Sequence, residues 1–171
     1  MPKVWEPLFP DLGGWTETSP RTPEYNCFAF VVGDEERRWE PFVYYWPPNV
    51  PRGYDIDKFI RAYETVGFRQ CDDGSLVEGI EKIALFTKEH GGVFHAARQE
   101  TDGKWKSKMG DEEDILHDSP QSLEGNEYGY PGCFMQRERR TNVRAIKESE
   151  TSVDAAQDSA SSGVSKSTHQ D

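Results

Sequence analysis

His95-Ala96-Ala97-Arg98-Gln99, then Glu100-Thr101-Asp102-Gly103, then Lys104-Trp105-Lys106-Ser107-Lys108, is the stretch whose reading decides the fold. Two short segments of strand length flank Thr101-Asp102-Gly103, which predicts a β-hairpin. A three-residue turn that ends in glycine introduces a bulge, and a bulge shifts the facing of the strand by one residue. Ser107 is then expected on the same face as His95. Without the bulge, Lys106 and Lys108 would take that face, and a cation beside His95 would oppose formation of an imidazolium.

Outward from the hairpin, Lys82 to Lys88 reads as a strand around the apolar run Ile83-Ala84-Leu85-Phe86, and Gly132 to Gln136 reads as a last strand. Gly67-Phe68 begins another, closed by the turn Asp72-Asp73-Gly74. Upstream, Ile56, Phe59, Ile60, Tyr63 and Val66 recur at helical spacing behind Asp55 as N-cap, and Gly67 ends the helix. In Tyr25-Asn26-Cys27-Phe28-Ala29-Phe30-Val31-Val32-Gly33-Asp34, Asn26 is a good N-cap and Gly33 a good terminator. A short buried helix fits; a buried strand is the competing assignment, because the run has no decisive period. Tyr44-Tyr45-Trp46-Pro47-Pro48 is rigid and extended. Glu112, Glu113 and Asp114, beside Gly110 and Asp111, read as a solvated loop. Helices first and mostly antiparallel strands afterwards give an α+β class.

Residues 1 to 24 hold five of the eleven prolines and Gly13-Gly14, and are expected to form an irregular lead-in anchored by Trp5, Phe9 and Trp15. The domain proper is expected over 25 to 140. From 141 to 171 a disordered tail is expected: after Glu148 there is no aromatic residue and serines number seven. Such a composition buries too little surface to offset ordering entropy.

The formal charge is -11, from 31 acidic and 20 basic residues. That sign repels phosphates, so no nucleic-acid partner is expected. Arg137, Arg139, Arg140 and Arg144 read as a solvated domain edge. No stretch approaches the roughly 20 apolar residues that cross a bilayer, and no leader or lipidation signal is evident, so no membrane partner is expected. Three cysteines, Cys27, Cys71 and Cys133, make no disulfide framework, and the cytoplasm is the expected compartment.

The candidate chemistry lies in Cys27 and His95. A cysteine in the first turn of a helix sits among outward-pointing N–H groups that favour the thiolate. A thiolate nucleophile needs an imidazole beside it and a polar group that orients the ring. His95 and Ser107 supply that order, and His117 could replace Ser107 if its loop folds back. On this reading Cys27 is the most reactive of the three thiols. Cys71 and Cys133 read as structural. A zinc ion held by Cys27, His95 and His117 lacks the short ligand spacing that marks such sites, so no metal and no cofactor are expected.

The arrangement resembles the NlpC-type branch of the papain-like cysteine peptidases and amidases. Asn26-Cys27 looks like the pair that opens its nucleophile helix. His95-Ala96-Ala97 looks like its histidine strand, and Thr101 to Ser107 like its tight turn and third polar residue, usually histidine. It resembles more closely a small uncharacterised domain family with Asn-Cys-x-Ala, His-x-Ala-x-Gln and Ser-Lys-x-Gly-x-x-Glu-Asp-Ile-x-His. These stand here as Asn26 to Ala29, His95 to Gln99 and Ser107 to His117. The resemblance implies a papain-like α+β fold with N-terminal helices and a small sheet. It also implies a cysteine-dependent amide hydrolase acting on a peptide, an isopeptide or a cell-wall-derived fragment. Cys27 attacks, His95 shuttles the proton, Ser107 or His117 orients it, and Asn26, Gln99 and Trp105 line the substrate site. The alternative is a non-catalytic interaction module with Tyr44-Tyr45-Trp46 as its contact surface and a protein as partner; an effector or immunity-type partner protein is a further class that the acidic surface allows.

Overall fold

The computed structural model describes residues 2–139, so the boundary with the expected tail, and the tail itself, lie outside the described residues. One antiparallel sheet dominates. In chain order its strands are β1 (Trp15–Ser19), β2 (Arg69–Cys71), β3 (Ile80–Thr87), β4 (Val93–Gln99), β5 (Trp105–Lys108), β6 (Asp114–His117) and β7 (Tyr130–Glu138). In space they run β1-β6-β5-β4-β3-β7-β2. The two α-helices, α1 (Cys27–Phe30) and α2 (Ile56–Glu64), lie between β1 and β2 in the chain.

This corrects the expected class. The described chain is not an α+β papain-like fold with N-terminal helices; it is a seven-stranded antiparallel sheet with few helical residues, and a strand precedes both helices. Two strands escaped the sequence reading. In the supposed lead-in, β1 pairs with β6, Trp15 opposite His117 and Ser19 opposite Asp114. Its central residues face solvent and show no apolar alternation. In the supposed solvated loop, Asp114 opens β6, and Glu113 and Asp114 are both buried. Each carboxylate receives at least one hydrogen bond, which offsets part of the cost of burying a charge, although Oδ1 of Asp114 is buried with no hydrogen-bond partner. Tyr25 donates to Asp114 at 2.7 Å; Lys3 and Trp5 Nε1 donate to Glu113 at 2.6 and 3.2 Å. Arg137, expected at a solvated edge, is buried on β7, bonded to Glu81 and donating to the Val66 carbonyl at 2.8 Å.

The sheet carries a core on each face, as period-two alternation dictates. On one face Ile83, Leu85, Ala96 and Met135 pack under α1 and α2 with Phe28, Phe30, Phe59, Tyr63 and Trp39. On the other Ala84, Phe86, Ala97, Trp105 and Ile115 pack under Trp5, Phe9, Leu12 and Leu123. The register pairs Phe86 with His95 and Ala84 with Ala97, so His95 belongs with the second set. Across the hairpin Gln99 faces Trp105 and Arg98 faces Lys106, and Gly103 turns with φ 89°. His95, Trp105 and Ser107 thus share a face, as the glycine-ending turn predicts.

Candidate functional site

Asn26 sets the start of α1. It is extended (φ -118°, ψ 178°), and its Oδ1 accepts from Ala29 N–H at 3.1 Å. The same oxygen accepts from Trp39 N–H at 3.0 Å, and Nδ2 donates to the Trp39 carbonyl at 2.7 Å. Asn26 therefore clamps the Trp39 segment to the helix start. The first-turn N–H groups of Cys27 and Phe28 have no intrahelical acceptor. With the N–H of Ala96, they are the donors around the Cys27 sulfur.

Those donors do not make a resting thiolate. Burial pushes the Cys27 thiol up to about 12, against the opposing pull of the Ala96, Phe28 and Cys27 N–H groups and the Arg38 charge. A helix of four residues offers little dipole, and the buried sulfur loses more hydration than the donors return. The expected low-pKa nucleophile is thus corrected: Cys27 rests as a neutral thiol, 9% exposed.

His95, Ser107 and His117 form one hydrogen-bonded chain. Nε2 of His95 lies 3.0 Å from Ser107 Oγ, which lies 2.8 Å from Nε2 of His117. Nδ1 of His117 is 2.8 Å from the Ser119 carbonyl oxygen. A carbonyl can only accept, so His117 donates from Nδ1 and, being neutral, accepts at Nε2. The Ser107 hydroxyl must then give its one proton to His117, and accept from Nε2–H of His95. That leaves the His95 Nδ1 with a lone pair, and this atom is buried with no hydrogen-bond partner. Ser107 and His117 thus act together, where the sequence offered them as alternatives.

Burial, and next the field of His117, hold His95 well below the usual histidine range. Burial brings His117 down to about 4 against the raising effect of the Ser119 carbonyl and Asp118. Both rings are neutral at pH 7. The Cys27 thiol rests on the N–H of Ala96, the residue after His95, without a hydrogen bond to Nδ1.

The other candidates, Trp105 and Gln99, are buried. Trp105 is buried edge-on to Phe134, with ring centroids 6.2 Å apart. Gln99 is buried and donates to the Gly74 carbonyl at 2.8 Å. Tyr128 is the neighbour that the sequence reading missed: its ring lies flat on His95, centroids 4.0 Å apart and planes 4° apart. No motif marks it, because a short loop brings it there. Among the described residues no group of three His, Cys, Asp or Glu is placed to hold a metal ion, and no helix is long and apolar enough to cross a membrane.

The family described as a domain of unknown function (DUF7689) matches residues 16–136, and the chain belongs to it. No curated protein and no solved structure matches the chain. Nothing in these comparisons supports the NlpC-type or papain-like relationship.

Proposed function

We propose that this member of the DUF7689 family is a cysteine-dependent amide hydrolase whose substrate is a peptide, an isopeptide or a cell-wall-derived fragment. One observation carries the reading: the chain from Ser119 through His117 and Ser107 fixes His95 in a single tautomer and leaves its Nδ1 lone pair unused, as a general base requires. A fully satisfied relay around an unsatisfied acceptor is costly to build for packing alone.

With both groups neutral at rest, the base acts during attack. The Cys27 sulfur bonds to the amide carbonyl carbon as its proton passes to His95 Nδ1. The oxyanion is met by first-turn N–H groups of α1. Collapse breaks the C–N bond, and the imidazolium gives its proton to the departing amine. A water then attacks the thioester, again losing its proton to Nδ1, and the acid and the Cys27 thiol are released.

The test is alkylation of the full chain by iodoacetamide across pH, mapped by mass spectrometry, with Cys27→Ala and His95→Gln. Support is modification of Cys27 in the folded protein that slows at least tenfold in His95→Gln. Native Cys27 that stays inert until unfolding would overturn the reading.

The second reading, an interaction module, draws on the neutral buried thiol and an exposed apolar run. That run is not the expected Tyr44-Tyr45-Trp46. Trp46 is buried and donates to the Pro51 carbonyl at 3.2 Å, and Tyr45 lies under the Arg37 guanidinium at 3.4 Å. Phe42, Val43 and Tyr44 are the exposed ones, with the Tyr54 ring tilted against Phe42, centroids 5.9 Å apart.

A further inference from the structure

Tyr128 stands on a three-residue excursion, Asn126 to Tyr128, closed by a reciprocal pair of backbone hydrogen bonds. Gly125 N–H donates to the Gly129 carbonyl at 3.1 Å, and Gly129 N–H donates to the Gly125 carbonyl at 2.8 Å. The clasp needs glycine at its far end. Gly129 has φ 81°, and a Cβ there would run into the Thr87 carbonyl oxygen at the end of β3. The loop is therefore seated on the end of β3, whose Phe86 pairs with His95, and it delivers one aromatic ring. That ring covers one face of the imidazole, and Phe86 meets it edge-on at 5.1 Å between centroids. Phe9 backs Tyr128 from the N-terminal segment, 5.0 Å away.

We propose that Tyr128 is a positioning residue for His95: its flat stack bars rotation of the imidazole, keeps the unpartnered nitrogen at the Nδ1 position, and holds the imidazolium that proton transfer creates. The physical basis is twofold. A parallel ring at van der Waals distance blocks the flip that would exchange Nδ1 for a carbon. The same π-face attracts a cation and so favours the protonated ring over the neutral one. The ionisable group joined to His95 is His117 on β6, through Ser107; on the neighbouring elements the Cys27 thiol of α1 lies on the Ala96 N–H and Glu127 lies beside Tyr128 in its loop. Burial and His117 oppose the charge on His95, and the Tyr128 ring is the group in face-to-face contact with the imidazole. The role matters to catalysis only if His95 is the base, so it rests on the hydrolase reading, but the ring contact itself is testable without turnover.

The experiment follows the side-chain nitrogens and Cε1–H of His95 by NMR in the full chain, in wild type, Tyr128→Phe, Tyr128→Leu and Tyr128→Met. Tyr128→Phe is expected to keep the Nε2–H tautomer and the wild-type protonation midpoint, fitted over the pH range in which the fold persists. In Tyr128→Leu the midpoint is expected to fall by about half a pH unit or more, because a cation–π contact is lost. The ring N–H is expected to exchange at least tenfold faster. Tyr128→Met, a flexible filler of similar length, repeats the test if the leucine variant does not fold. A folded leucine or methionine variant with the wild-type midpoint overturns the proposal. None of these signals requires Cys27 chemistry, so an inactive thiol and an idle Tyr128 give different results.

Discussion

His95 and His117 never touch, yet they share the one hydroxyl of Ser107, 3.0 Å from the first ring and 2.8 Å from the second. The hydroxyl is fully buried, so neither ring can turn to water if it is removed. Ser107→Ala should therefore leave two buried ring nitrogens without partners. The expected loss is about 2 kcal/mol or more in chemical denaturation, above the usual worth of one hydrogen bond. A variant within a few tenths of a kcal/mol of wild type would mean that the relay is not formed in solution.

Gly129→Ala tests the loop that carries Tyr128. The residue would need both a positive φ and space that the Thr87 carbonyl occupies. The expected cost is about 2–3 kcal/mol, a left-handed non-glycine residue plus a backbone clash. Because Tyr128 sits one residue away, the His95 ring signals should shift as well. Gly79→Ala shares the positive φ but has nothing within 4 Å of the new Cβ. It should cost less and leave His95 untouched.

The cysteines should react with a bulky charged disulfide reagent in an order opposite to the one their sequence settings suggest. Cys71 and Cys133 are half-buried, whereas Cys27 is buried and its thiol pushed up to about 12. Reagent access and thiolate fraction both favour Cys71 and Cys133. In the native protein these two should be modified first. Cys27 modified ahead of them by such a reagent would mean that α1 opens far more readily than its packing implies.

The hairpin and its consequence were legible because turn chemistry is local. Gly103 and the spacing to Ser107 placed that hydroxyl on His95's face, as the 3.0 Å contact has it. The Asn26 cap was local too. What failed was long-range. β1 pairs with β6 across some hundred residues, and Trp15-Thr16-Glu17-Thr18-Ser19 carries no alternation that would announce a strand. Asp114 looked solvated because the phenol that receives it, Tyr25, is 89 residues away. The Cys27 environment failed for a different reason. A helix start lowers a thiol pKa only if burial does not outweigh it, and burial is a tertiary property. At Asp55 the N-cap position was legible, but its carboxylate pairs with Lys58 instead of the helix N–H groups.

Acid should unfold this domain earlier than its carboxylates alone would dictate. The His117 ring is held down to about 4 in the folded chain by burial, and His95 lies well below its usual range for the same reason. In the unfolded chain both return to about 6.5. The sign then follows: the unfolded state binds protons first, so stability is fully present above about pH 6.5 and falls as pH drops through that value. For His117 the loss continues until about pH 4, where the folded ring also takes a proton. The limiting slope is about 1.4 kcal/mol per pH unit for each ring, so at pH 5 His117 alone accounts for about 2 kcal/mol. Urea midpoints measured from pH 7.5 to 4.5 should trace this decline, and the slope of the native transition should stay constant. His117→Gln removes one titrating ring. It should lower stability at pH 7, where Ser107 loses its acceptor, yet flatten the decline by about half. A wild-type midpoint that is level between pH 7 and 5 would require both imidazoles to be hydrated in solution, and the buried His95–Ser107–His117 chain would then not describe the folded protein.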